Sequence, residues 1–121
     1  MSAWVWLAVL VVGGLGAIGR FLLDSLISGR AGRELPYGTF TINMLGALLL
    51  GLLAGLALAP TLYTIAGTAT IGSFTTFSTW MFETQRLAED SEIRRAVLNT
   101  VASLAAGFAI ALLGHAIGVG L

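Results

Sequence analysis

The chain has no cysteine, no lysine and a single histidine, and only 10% of its 121 residues are charged. Each shortage closes off a class of function. Without cysteine there are no disulfides and no thiolate metal sites, and one imidazole, His115, does not build a zinc site alone. Net charge is zero, with no basic patch to neutralise phosphates, so nucleic acid is not a partner. No nucleophile–base–orienter set is visible, and an enzyme is not expected. A soluble domain carries about 25% charged residues because it needs a polar shell. This chain is 57% apolar with a mean hydropathy of +0.94, so lipid is the solvent that suits it.

What the chain does have is four apolar blocks, residues 3–27, 37–59, 62–82 and 96–121. Each is long enough to cross the hydrocarbon core, which takes about 20 helical residues. The expectation is one all-α integral membrane domain of four transmembrane helices. The first block has no positively charged segment before Trp4, and glycines with Arg20 stand where a cleavage site would fall, so it reads as a helix and not as a leader. The first connection is polar and glycine-rich, with Pro36 placed to open a helix. Pro60-Thr61 is expected to turn tightly between the second and third blocks. Ser91 is placed to cap the last helix. Trp4, Trp6, Tyr37 and Tyr63 read as interfacial aromatics.

All six basic residues (Arg20, Arg30, Arg33, Arg86, Arg94 and Arg95) lie in or near the first and third connections. By the positive-inside rule both of these face the cytoplasm and both termini face out.

Polar residues inside such blocks are informative, because a bare carboxamide in lipid costs several kcal/mol, roughly. In the second block Ala47, Gly51 and Gly55 form a small-residue seam of the kind that packs helices closely. Asn43 and Thr39 extend that row, and Asn43 must meet a partner or water. Asn99 and Ser103 lie one turn apart in the fourth block, on a row continued by Gly107 and Ala111. The third block is the densest: after Gly72, seven residues hold five hydroxyls and two phenyl rings. Hydroxyls at that density compete with helical hydrogen bonds, so a helix interrupted near residues 72–79 is expected. Irregular backbone at membrane depth is tolerated where it is buried or lines a cavity, and it exposes carbonyls suited to an alkali cation. Arg20 stands four residues before Asp24, within ion-pair reach on a helix. Glu83 follows the hydroxyl run as an interfacial or pore-mouth carboxylate.

Three segments together resemble the Fluc (CrcB) family of fluoride channels. They are Gly13-Gly-Leu-Gly-Ala-Ile-Gly-Arg-Phe21, Gly38-Thr-Phe-Thr-Ile-Asn-Met-Leu-Gly46, and Gly72-Ser-Phe-Thr-Thr-Phe-Ser-Thr-Trp80 followed by Glu83. The likeness runs over nearly the whole chain. It implies a multi-pass protein of a prokaryotic plasma membrane that lets F⁻ leave the cytoplasm passively. It also implies an antiparallel, dual-topology dimer with two pores along the subunit interface. The dimer would carry a structural, non-transported Na⁺ at its centre, held by the backbone carbonyls of Gly72 and Thr75. Asn43 and Phe77 would line the fluoride path, with Thr76 and Ser103 on a polar track. Thr39, Phe74, Trp80 and Asn99 complete the candidate pore set, and Arg20 and Glu83 fall at the vestibule. Two positions depart from the family pattern. Trp80 stands where a second pore phenylalanine is usual, and Asn99 where an aromatic hydroxyl is common.

The residues suit the ion. Fluoride is strongly hydrated, so a dry pore must offer donors, and carboxamide and hydroxyl groups donate. Phenyl edges carry the positive side of the ring quadrupole. Weak, repeated sites let an ion leave again. A proton-coupled small-molecule exporter is the competing expectation, but it needs a deep carboxylate and Asp24 lies near the end of its block. A non-conducting structural subunit is the third, which the hydroxyl–Phe run argues against. An antiparallel dimer needs subunits inserted both ways, whereas the Arg bias favours one orientation. The partner is therefore expected to be an oppositely oriented paralogue, or a second copy that overrides the bias.

Overall fold

Long apolar runs without internal proline satisfy their backbone polar groups from within, and they fold as helices. The computed structural model describes residues 2–32 and 35–121; Arg33, counted above in the first basic connection, lies outside them. Helix α1 (Ala3–Ala31) continues beyond the Ile27 boundary expected and ends at Gly32, whose φ of +86° a side chain would resist. Helix α2 (Tyr37–Gly55) follows Pro36. The turn expected at Pro60-Thr61 falls earlier, on residues 56–59, where Ala57 takes a φ of +52°. Pro60 instead opens helix α3 (Pro60–Tyr63), at the position where its missing N–H costs nothing.

From Tyr63 the chain passes into a π-helix (Thr64–Ile71) and then helix α4 (Gly72–Phe74). The Thr70 hydroxyl follows the wider winding, donating to the Ile65 carbonyl five residues back. Thr75 is extended, at φ −79° and ψ 162°. Helical winding resumes in α5 (Ser78–Glu89), past the Phe82 boundary expected. Ser91 sits in the following turn at φ +60°, and α6 (Ile93–Gly120) starts behind Glu92 without a side-chain cap. Ser91 is therefore a turn residue and not the cap. Helices α1, α2 and α6 are each long and apolar enough to cross a membrane.

The most extensive packing is between α2 and α6, and it is backbone against backbone. A Cβ on Gly51 would strike the Ala111 carbonyl, and one on Gly55 the His115 carbonyl. From the other side, Gly114 and Gly118 meet the carbonyls of Leu48 and Leu52. The small-residue seam of α2 thus interlocks with glycines of α6, an approach that suits helices lacking a hydrophobic drive to associate. On the opposite flank α1 packs on the π-helix and α4, with Gly16 against the Thr70 carbonyl and Ser73 Oγ. Few side chains are fully buried, Ile42 most completely. The outer faces of α1 and α6 present Leu10, Leu15 and Phe21, and Val101, Leu104 and Phe108. An exposed apolar surface of that extent belongs in lipid.

Gly114→Val is expected to cost about 1–3 kcal/mol, as overpacking does, and to lower the unfolding midpoint in detergent. Gly14→Ala, where an added Cβ meets nothing within 4 Å, should leave that midpoint unchanged or raise it. A Gly114 variant as stable as the parent would show that the two backbones are not in contact.

Candidate functional site

The interruption between α4 and α5 is held by one side chain of α2. Asn43 Nδ2 donates to the Thr76 carbonyl at 2.9 Å, and the Thr76 N–H donates to Asn43 Oδ1 at 2.8 Å. In a continuing helix the Thr76 N–H would close on the Gly72 carbonyl, four residues back. A second diversion follows at once. The Thr79 N–H, due to pair with the Thr75 carbonyl, donates instead to Thr76 Oγ1 at 3.2 Å. Two side-chain acceptors thus take the donors that Gly72 and Thr75 would have used. Gly46 makes the approach possible, since a Cβ there would collide with Thr75 Cγ2. Gly72 faces open space, with nothing within 4 Å of where a Cβ would stand. Carbonyl oxygens released in this way are hard ligands of the kind that suit an alkali cation. Among the described residues no group of His, Asp or Glu is arranged to hold a metal ion.

Two of the five hydroxyls of the run serve their own backbone. Ser73 donates to the Thr70 carbonyl at 3.0 Å and Thr75 to the Ile71 carbonyl at 3.1 Å. Thr76, Ser78 and Thr79 do not, and Thr76 stands closest to the break. Its oxygen accepts from Thr79, so its proton remains to be given, and Ser78 Oγ lies 3.5 Å away. Asn43 likewise keeps a second N–H, since the amide carries two donors. Beside them Phe77 is 69% exposed, its ring centroid 5.5 Å from that of Trp80 and at 77° to it. Asn43, Gly46, Ala47, Thr75, Thr76, Phe77 and Trp80 line a cleft of about 300 Å³. On the other side of Thr76 a cleft of about 180 Å³ is lined by Arg20, Phe21, Asp24, Thr39 and Thr79. Thr76 borders both.

The remaining candidates divide. Thr39 is buried and its hydroxyl donates to the Glu83 carboxylate across the α2–α5 boundary, so that proton is taken. Trp80 and Asn99 meet each other: the indole N–H points at the Asn99 carbonyl, 3.4 Å away. The Asn99 carboxamide donates to Thr84 Oγ1 at 2.8 Å, and Thr84 donates to the Trp80 carbonyl at 2.8 Å. Thr84 was not singled out from sequence; its place one turn after Trp80 was the available signal. Ser103 is half-buried on α6, away from the lining of either cleft. Phe74 leans on α1 beside Gly19, in an apolar cleft with Leu15, Gly16, Leu45 and Leu49. Gly51 and Gly55 are at the α6 contact. Arg20 and Asp24 form no ion pair despite their spacing; Asp24 faces Ser28 Oγ at 3.4 Å, and the ion pair found among the described residues is Arg95–Glu92 at 3.7 Å.

Comparison with known proteins adds an independent finding. The family model described as CrcB-like protein, Camphor Resistance (CrcB), matches residues 7–115. The chain is 50% identical over 115 residues to "Fluoride-specific ion channel FluC 2" of Mycobacterium tuberculosis, covering 95% of this chain and 91% of that one. It is 40% identical over 121 residues to "Fluoride-specific ion channel FluC 1" of Symbiobacterium thermophilum, with 95% and 98% covered. Against "Fluoride-specific ion channel FluC" of Geobacter sulfurreducens the identity is 41% over 104 residues, with 82% and 84% covered.

Asn43→Ala would leave the half-buried Thr76 N–H and carbonyl without their partner, at about 1 kcal/mol for each bond lost. Thr76→Ala would remove one cap, worth about 1 kcal/mol. Thermal unfolding of the purified protein is therefore expected to rank Asn43→Ala as the more damaging change. The reverse order would contradict the arrangement described.

Proposed function

This chain belongs to the CrcB-like family, and from that membership we propose that it is a fluoride-specific ion channel. It is a multi-pass protein of the bacterial plasma membrane, and F⁻ passes through it passively, lowering the cytoplasmic concentration. The observation that carries the reading is the Asn43–Thr76 pairing, which keeps the backbone open beside Phe77 and leaves donors without partners. Residues 60–89 act as a further crossing in two pieces, giving four crossings with the third interrupted.

The chain's own groups do the work on the ion. The second N–H of Asn43 and the Thr76 hydroxyl replace water in the fluoride shell. Phe77 offers a ring edge, an electropositive contact without a full charge. No basic side chain lines the cleft with Asn43 and Phe77, so an ion bound there is held weakly enough to leave. Arg20, in the neighbouring cleft, raises the local anion concentration at the mouth.

The interrupted face is where a second subunit docks, antiparallel to the first. Phe77 and Gly72 are both exposed on a single chain, and burying them in a dimer would enclose the fluoride path between subunits. The Arg bias directs one orientation, so the partner is an oppositely inserted paralogue or a second copy that overrides the bias. The residues also fit a structural Na⁺, because the Gly72 and Thr75 carbonyls have lost their helical donors to Asn43 Oδ1 and Thr76 Oγ1. When bound, such an ion supplies a fixed positive charge where two interrupted helices meet. The competing exporter reading gains no support from Asp24, which shares its cleft with Arg20.

Fluoride efflux from liposomes carrying the purified protein, with chloride as control, tests the reading. Rapid F⁻ loss with chloride retained is expected, and Phe77→Ile should abolish it while dimers still form. Vesicles as tight to F⁻ as bare ones would end the channel reading. Near-normal flux through Phe77→Ile would take Phe77 out of the path.

A further inference from the structure

Trp80 is the one large aromatic of the cleft that is almost fully enclosed, at 9% exposure. An indole N–H facing an anion path would be a strong donor, yet this one is turned away to the Asn99 carbonyl on α6. The link is one side of a closed circuit. The carboxamide of Asn99, itself 6% exposed, donates to Thr84 Oγ1, and the Thr84 hydroxyl donates its own hydrogen to the Trp80 backbone carbonyl. Groups buried at membrane depth have no water to fall back on, and hydrogen bonds in a chain reinforce one another. The indole itself is held by its burial and its bond to the Asn99 backbone carbonyl, while the Asn99 carboxamide and Thr84 tie α5 to α6 at the level of the cleft. Phe77 has no comparable restraint. It is largely exposed, and its edge-to-face contact with Trp80 is the one ring contact in the chain's described residues.

We propose that Trp80 is a positioning residue for Phe77. Held by the Asn99 backbone carbonyl and carried on a backbone that Thr84 ties to α6, the indole is a fixed wall that sets the direction of the Phe77 ring. It thereby sets how well the path discriminates fluoride from a larger halide. Trp80 contributes shape, and its N–H takes no part in binding the ion. Thr84 and Asn99 act only through Trp80. This rests on the reading that Phe77 borders the fluoride path.

The test uses the full-length protein in liposomes, with fluoride and chloride efflux measured in parallel. Trp80→Leu is expected to lower the fluoride-to-chloride flux ratio about tenfold, the scale of losing one edge-to-face ring contact. Thr84→Val, which keeps volume and removes the hydroxyl, should shift the ratio the same way by a smaller factor. Thr84→Ser, which keeps the hydroxyl, should restore it. Because Thr84 acts through Trp80, the double variant Thr84→Val/Trp80→Leu should match Trp80→Leu alone. An unchanged ratio in Trp80→Leu would overturn the proposal. So would a Thr84→Val effect that adds in full to that of Trp80→Leu, or one that Thr84→Ser fails to rescue. Phe77→Ile separates the two failures. If it still conducts normally, the pore reading itself is lost. If it blocks efflux while Trp80→Leu keeps its ratio, only the positioning role falls.

Discussion

A helix that breaks must find new partners for its backbone, and at Thr76 both the N–H and the carbonyl are taken by one carboxamide of another helix. That exchange is what makes the interruption tolerable, since a buried backbone group left without a partner costs about 1–3 kcal/mol. It depends on where α2 stands. The glycines at 51, 55, 114 and 118 lock α2 against α6 at backbone contact distance, and Gly46 lets Thr75 come up against it. Asn43 then arrives at the height of the break.

The same exchange accounts for how the hydroxyl run is used. A row of Ser and Thr looks like a row of donors, but Ser73 and Thr75 spend theirs on carbonyls of their own segment, and Thr39 gives its proton to Glu83. What remains toward the clefts is sparse: the Thr76 and Thr79 hydroxyls, one N–H of Asn43 and the Phe77 ring. A site of few and weak contacts suits conduction, in which an ion must be released as readily as it is taken up. The hydroxyls turned inward still contribute, because they add a bond to carbonyls at the end of the π-helix, beside the extended Thr75.

The long apolar runs, the glycine seam and the family motifs were legible in the sequence because each rests on composition or on short-range spacing. Partner choice was not. Spacing put Arg20 and Asp24 in reach of each other, but Asp24 faces Ser28 and both charges line a cleft. Asn43 read as a group needing a partner, yet nothing in sequence indicated that the partner would be the Thr76 backbone, because that pairing is set by the register between two helices. Trp80 and Asn99 read as separate features and prove to be one hydrogen-bonded unit with Thr84. The π-helical winding of Thr64–Ile71 left no trace in residue spacing, and neither did the placement of Phe74 beside α1.

Solid-state NMR of the isotopically labelled protein in lipid bilayers addresses the Asn43–Thr76 pairing most directly. Extended-type backbone shifts at Thr75, helical shifts at Ser73 and Thr79, and a through-space contact between the Asn43 carboxamide and the Thr76 amide are expected. Helical shifts running without a break from Gly72 to Thr79, with no such contact, would contradict the pairing and everything built on it.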